Sequence, residues 1–532
     1  MRKIYQNILI VALCCLGFCV KAQVWQPDNG DGTYKNPIIY ADYSDPDVIR
    51  VGNDYYMVAS SFNCQPGVPV LHSKDLVNWK IINYVYNQLP LQRYQKMQAG
   101  QGSWAPSIRF HDGHYFVYFC TPEDGLFMAT TTDPAKSWKM THVQDVSGWE
   151  DPCPFWDADG KAYLLHGKTG AGPAILHRMS ADGTKLLDNG KLIYENATKQ
   201  PTLEGFKFME KRDGYYYFAA PAGGVGTGWQ SVFRSKNIYG PYEDKIVLSQ
   251  GKSTTNGPHQ GGLIETQTGE WWFIHFQDKG TVGRILHLQP ATWKNGWPVI
   301  GEDEDGDGTG QPVMSYKKPN VGKTYPASGP QTTDEFSSPT LGLQWQWQAA
   351  PHAAWYSLAA NKGSIRLNAI ANPTDSGMLT SVPNILLQKF AAPKFTAVTK
   401  MTFKPSSVLD RAGLTVVGST FSFLGMEKKA DGNYIILYES KREGRKLLNS
   451  PAFSIKANGN AVWLKVDLND KYQCRYSYST DGVTYTPIDK TFQASKGTWI
   501  GGKVGIVCLN ANLMPSKGYA DFDFFRVMDN KD

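Results

Sequence analysis

The stretch "DVIRVGNDYYMVASS" (47–61) carries an apolar run into a Gly-Asn-Asp turn and returns through an aromatic-rich segment. Four later stretches repeat that order: "SIRFHDGHYFVYFC" (107–120), "PFWDADGKAYLLHG" (154–167), "FKFMEKRDGYYYFAA" (206–220) and "GLIETQTGEWWFIHF" (262–276). β-Branched and aromatic residues flanking a glycine turn read as a β-hairpin. The turn glycines Gly52, Gly113, Gly160, Gly214 and Gly269 recur about every 50 residues. A further strand signal follows each hairpin, among them "VLHSKDLVNW", "ILHRMSADG" and "ILHLQPATWKNGW". Repeating units of three to four short strands are propeller blades, so five units predict a five-bladed β-propeller over residues 23–314.

A polar, Pro- and Gly-rich segment, "SYKKPNVGKTYPASGPQTTD", follows, and residues 315–333 read as a linker. Alternating strands resume over 334–532, in "TAVTKMTFKP", "YIILYES", "AVWLKVDLN" and "DFDFFRV", without the blade repeat. That pattern predicts an antiparallel β-sandwich, and the fold class is all-β. Within it, "STDGVTY" marks a hairpin with an Asp-Gly turn.

Residues 1–22 have a basic start (Arg2, Lys3), a short apolar run and a small residue, Ala22. This is a cleavable signal peptide, which predicts a periplasmic or secreted protein; a membrane anchor would need a longer run. The net charge of +6 includes three of those leader cations, so the mature chain is near neutral and gives no footprint for nucleic acid. No later stretch is apolar enough to span a membrane. Cys64, Cys120, Cys153, Cys474 and Cys508 remain after cleavage, odd in number and without metal-ligand spacing.

In a propeller the first strand of each blade lines the axis, so the residues that begin those strands gather at one channel mouth. In order they are "SDPDVI" (44–49), "WAPSIR" (104–109), "EDPCPF" (150–155), "LEGFKF" (203–208) and "PHQGGL" (258–263). This ring holds Asp45, Asp151 and Glu204 with Trp104 and His259. Carboxylates beside an aromatic at a concave mouth suit sugar hydrolysis: one acid protonates the leaving oxygen and one base activates water. A third carboxylate should raise the acid's pKa by like-charge repulsion. Asp45 and Asp151 each precede a proline, which predicts extended backbone at both.

These segments, with "NPIIYADYSDPDVIR" and "GRILHLQPATWKNGWPVIG", resemble glycoside hydrolase family 43, five-bladed propeller enzymes acting on arabinose- and xylose-containing polysaccharides. The C-terminal zone resembles the concanavalin-A-like sandwich of two-domain members. The resemblance implies that Asp45 is the general base, Glu204 the general acid and Asp151 the residue that tunes and orients the acid. It implies an inverting, exo-acting hydrolase that removes a terminal pentose from hemicellulose or pectin-derived glycans. α-L-Arabinofuranose is favoured, with β-D-xylose a close second. Arg284 matches an arginine reaching the sugar, and Trp104 and Phe62 are candidate walls of the sugar subsite. His259 matches a histidine near a calcium ion or water cluster, an ion that would be structural, because the hydrolysis requires no cofactor.

Other readings stand beside this one. A retaining β-fructosidase shares the architecture but usually shows Trp-x-Asn-Asp-Pro and Arg-Asp-Pro, against Tyr43-Ser44-Asp45-Pro46 and Glu150-Asp151-Pro152 here. A non-catalytic sugar-binding propeller would have no need of three carboxylates. The run "GEDEDGDGTG" (301–310) imitates a calcium loop through Asp303, Asp305 and Asp307. Met314 stands where that loop needs its glutamate, so a solvated turn is expected.

Overall fold

The computed structural model describes residues 23–372, 378–444, 446–513 and 516–530, so the expected leader at 1–22 lies outside the described residues. Five four-stranded antiparallel sheets follow one another along the chain, and we number them blades I to V. Their axial strands are Asp47–Val51, Trp104–His111, Trp149–Trp156, Lys207–Arg212 and His259–Glu265. The hairpin reading has a conformational basis. Gly52, Gly113, Gly160, Gly214 and Gly269 all take φ between 63° and 87°, the left-handed region a side chain resists.

Blade V meets blade I closely: a Cβ on Gly262 would lie 2.6 Å from Val48 Cγ1. The chain before blade I runs back along blade V, with Tyr34 Oη donating to Leu288 O and Asn36 Nδ2 to Leu288 O and Val313 O. The segment expected as a linker is not loose. Ser315–Lys317 pairs with Thr33–Lys35, and Lys318 Nζ reaches Asp28 and Asp75 at 2.6 and 3.1 Å. Partners far away in sequence supply this order, which a local reading of composition does not register.

The C-terminal part is two stacked sheets of eight and seven strands. Their facing sides bury Leu414, Leu424 and Ile506 against Phe403, Leu464 and Phe522. Tyr40, Val282 and Ile285 of the propeller join this same apolar cluster, so the two halves share buried surface. The Asp-Gly hairpin is longer than a two-residue turn. Its strands end at Ser479 and resume at Thr486, and Asp481 accepts the Val483 and Thr484 amides, each at 2.8 Å. All five described cysteines are buried and free. Among the described residues no helix is long and apolar enough to cross a membrane.

Candidate active site

Each axial strand begins at the same channel mouth with one left-handed residue. These are Asp45, Ala105, Asp151, Gly205 and Gln260, at φ 56°, 36°, 56°, 65° and 50°. The extended backbone expected at Asp45 and Asp151 is therefore wrong. In blades II, III and V the ladder shifts register at this point, between Trp104 and Ser107, Glu150 and Cys153, and His259 and Gly261. At Asp151 the bulge imposes its own dihedrals over the local proline preference, while Asp45 precedes the ladder of Asp47–Val51; each left-handed non-glycine residue costs about 1–3 kcal/mol.

The left-handed residues are linked from blade to blade by hydrogen bonds. Asp151 Oδ2 accepts the amide of Gly205, the left-handed residue of the next blade, at 2.6 Å. Asp45 makes the same reach through a hydroxyl: Ala105 N donates to Ser60 Oγ at 2.7 Å, and Ser60 Oγ donates to Asp45 Oδ2 at 2.5 Å. Arg284 Nη1 takes the other oxygen of Asp45 at 2.5 Å, while its guanidinium covers the Phe276 ring at 4.7 Å. Asp42, two residues before this motif, accepts Arg284 N and Gly501 N, tying the arginine's backbone to the sandwich.

Glu204 belongs to the slot just before the left-handed residue, which is occupied by Ser44, Trp104, Glu150, Glu204 and His259 around the ring. His259 Nε2 lies 3.0 Å from Glu204 Oε1, and the glutamate side chain is 26% exposed against 6% for Asp45. Glu150, unrecognised in the sequence as a site residue, is buried beside Asp151 and takes the Ala171 and Gly170 amides at 3.1 and 3.3 Å. Superposing the five strand starts would have revealed it.

The electrostatics revise one expectation. Burial, then the charge of Glu204, push the Asp151 carboxyl up to about 7, against the pull of the Gly205 amide and Lys207. Burial, then Asp151, push Glu150 up to about 9. Burial also acts on Glu204, but the His259 hydrogen bond and charge, with Arg284, outweigh it and hold Glu204 below the usual glutamate range. Like-charge repulsion thus falls on Asp151 and Glu150, not on the expected acid, because Glu204 alone touches a histidine.

A stability prediction follows. Asp151 holds its proton to about pH 7 in the fold but releases it near 3.8 when unfolded, so the native state binds more protons across that window. Stability is complete below the lower value and is lost as pH rises through the upper one. Asp151→Asn should therefore melt about 2–5 °C above the wild type at pH 8, with the gain vanishing towards pH 4. Calorimetry across that range tests it; a constant offset would mean the carboxyl is not the strained group.

Trp104 packs edge-on against Phe62 at 6.1 Å and against Trp499 at 6.0 Å. Phe62 is only 3% exposed and backs Trp104. Trp499 comes from the sandwich, at φ 65° and 51% exposed, with its ring 6.0 Å from the Arg284 guanidinium. Its loop is fastened to the propeller by Gly502 N donating to Thr281 O at 2.7 Å. Trp499 lies in no repeat or motif, so only the docking of the two domains reveals it.

The calcium expectation meets few protein oxygens. Below the mouth, Lys207 Nζ occupies Pro106 O and Ser107 Oγ, and Arg109 takes Asp47 at 2.6 Å. With two fixed cations here, most of the six to eight oxygens around a calcium ion would have to come from water. His259 Nδ1 is buried and finds no hydrogen-bond partner among the described residues. On the outer turn, Asp303, Asp305 and Asp307 do converge, but Asp303 pairs with Lys294 and accepts Gly306 N, as in a solvated turn.

A five-bladed propeller whose axial mouth gathers carboxylates, an arginine and aromatics, with a sandwich docked at its rim, defines a glycoside hydrolase. Residues 34–298 match glycosyl hydrolases family 43, and 333–528 match the β-xylosidase C-terminal concanavalin A-like domain. The chain is 46% identical to a putative β-xylosidase of Xylanibacter ruminicola, over 92% of this chain and 88% of that one. It is 31% identical to a non-reducing end α-L-arabinofuranosidase of Bacteroides ovatus, over 78% and 77%. A crystal structure of a family 43 protein from Bacillus licheniformis superposes with a TM-score of 0.81 at 27% identity, over 94% and 100%. The chain belongs to glycosyl hydrolases family 43.

Proposed function

We propose that the protein is an exo-acting, inverting β-D-xylosidase that removes single terminal xylose residues from hemicellulose-derived oligosaccharides, with α-L-arabinofuranose as its second substrate. The observation that carries this is the ring of carboxylates at one channel mouth, beside which Trp499 of the sandwich stands 6.0 Å from both the Trp104 ring and the Arg284 guanidinium and so narrows the approach from that side. The order of the two sugars reverses the sequence-based preference and rests on the relatives' names, mostly β-xylosidases. The basic and apolar N-terminus supports export to the periplasm or beyond.

In this reading Asp45 is the base. Arg284 and Ser60 each donate to one of its oxygens, fixing the carboxylate plane while leaving a lone pair for water. Water attacks the anomeric carbon as Asp45 takes its proton, the glycosidic C–O bond breaks, and Glu204 gives a proton to the leaving oxygen. Asp151 aligns the Glu204 segment through the Gly205 amide.

The test incubates the full protein with 4-nitrophenyl β-D-xylopyranoside, its α-L-arabinofuranoside counterpart and xylobiose, following the first-formed sugar by NMR. α-Xylose appearing first from the β-xylosides is the expected result. β-Xylose first would establish retention and overturn the mechanism, and release of neither pentose would overturn the substrate. In the same assay Trp499→Ala should raise KM about 3–10-fold with kcat nearly unchanged. An unchanged KM would remove Trp499 from the pocket wall.

A further inference from the structure

Between propeller and sandwich, behind the aromatic wall of the pocket, lies a cavity of about 310 Å³. Gly100 and Thr498 meet at its edge; a Cβ on Gly100 would lie 2.6 Å from Thr498 Cγ2. Gly497, Thr498 and Ile500 face the cavity, whereas Trp499 between them packs on Trp104, whose Nε1 donates to Gly100 O at 2.8 Å.

The lining is cationic, and no aspartate or glutamate belongs to it. Lys503 is 3% exposed, yet its ammonium has no hydrogen bond or ion pair with any described residue. Its cross-strand neighbour Lys389 is placed differently, with Nζ over the Tyr43 ring at 4.8 Å. Burial, then the charge of Lys503, hold the Lys389 amine down to about 7 against the opposing pull of Asp42. Arg442 joins the lining, with Nη2 on Ser419 O at 3.2 Å. An ammonium on a nearly buried side chain, with no carboxylate in the lining to meet it, is a ready partner for an anion that enters the cavity. Val417, Leu447 and Ile500 give the cavity apolar surface.

We propose that this cavity is a second carbohydrate site, which takes one sugar bearing a carboxylate, a hexuronic acid, with its carboxylate on Lys503 and Arg442. The volume lies at the low end for small-molecule sites, fitting a single pyranose better than a chain. The preference for an acidic sugar over a bare anion rests on the proposed glycan-cleaving function. A ligand here touches Gly497, Thr498 and Ile500 and so steadies Trp499, linking acidic oligosaccharides to the shape of the catalytic pocket.

The experiment uses the full chain with D-glucuronate, D-glucose and acetate at constant ionic strength, read by calorimetric titration and thermal melting. Glucuronate should bind saturably and raise Tm in proportion to its logarithmic concentration, while glucose and acetate do neither. Lys503→Met should weaken glucuronate binding about tenfold or more, the worth of one charge-assisted hydrogen bond. Arg442→Gln, at an exposed position tolerant of change, should weaken it too. Both variants should hydrolyse the aryl xyloside normally in uronate-free buffer. Absence of saturable glucuronate binding overturns the proposal, as does equal binding by acetate or glucose, or wild-type binding in both variants. Because xyloside hydrolysis is measured in the same samples, failure of this site is distinguishable from failure of the catalytic reading.

Discussion

Glu204→Gln should lower kcat/KM on xylobiose by about 10²–10⁴-fold, and far less on an aryl xyloside whose phenol is a good leaving group. The amide keeps the size of the side chain and accepts the same His259 contact, so the pocket should remain intact. What it lacks is the proton. A sugar alkoxide cannot leave without one, whereas an acidic phenol can, so the penalty should follow the leaving group. Among the ring's carboxylates Glu204 suits this role by exposure, with 26% of its side chain open while Asp151 as a residue is 6% exposed. Its lowered pKa means that the free protein stores the mobile proton mainly on Asp151 and Glu150, and substrate must draw it onto Glu204. Burying the His259 contact under a sugar, away from water, is the physical step that favours the neutral acid. Equal losses on both substrates would reject the assignment.

The fold was legible because the blade repeat is written in local chemistry. A left-handed glycine is needed at each hairpin turn, and five glycines at matching places announced five blades. The carboxylate ring was legible for a related reason, since equivalent strand starts must converge on one axis. What the sequence hid depends on contacts between distant segments. Trp499 reaches the mouth because Asp42 and Thr281 dock its loop, and the expected linker is ordered by Thr33–Lys35, Asp28 and Asp75. The backbone at Asp151 was misread because proline is a local signal, whereas the bulge there is a property of two paired strands. The direction of the Glu204 shift was misread because charge counting included the neighbouring acids and left out His259. Asp42, which had no counterpart in the repeat, is placed by the structure as a brace between the domains.

Asp45→Asn should be the most damaging substitution, removing about 10⁴-fold of turnover on every substrate regardless of leaving group. The argument lies in what each departing group requires. A better leaving group relieves the need for an acid, but nothing about it makes water a stronger nucleophile, so losing the base cannot be offset from the aglycone side. The asparagine can keep its oxygen on Arg284 and turn its N–H to Ser60 Oγ, which then accepts instead of donating, so the side chain stays placed while the base is lost. Ser60→Ala separates these effects: it removes the hydroxyl bridge from Ala105 N to Asp45 while leaving the carboxylate and its arginine in place. Its loss should be confined to about tenfold, the value of one hydrogen bond to a charged group. If Asp45→Asn retained activity on an activated aryl xyloside in the way Glu204→Gln does, the two carboxylates would have to exchange roles. The water would then attack from the Glu204 side of the ring, with Glu204 as the base beside His259 Nε2.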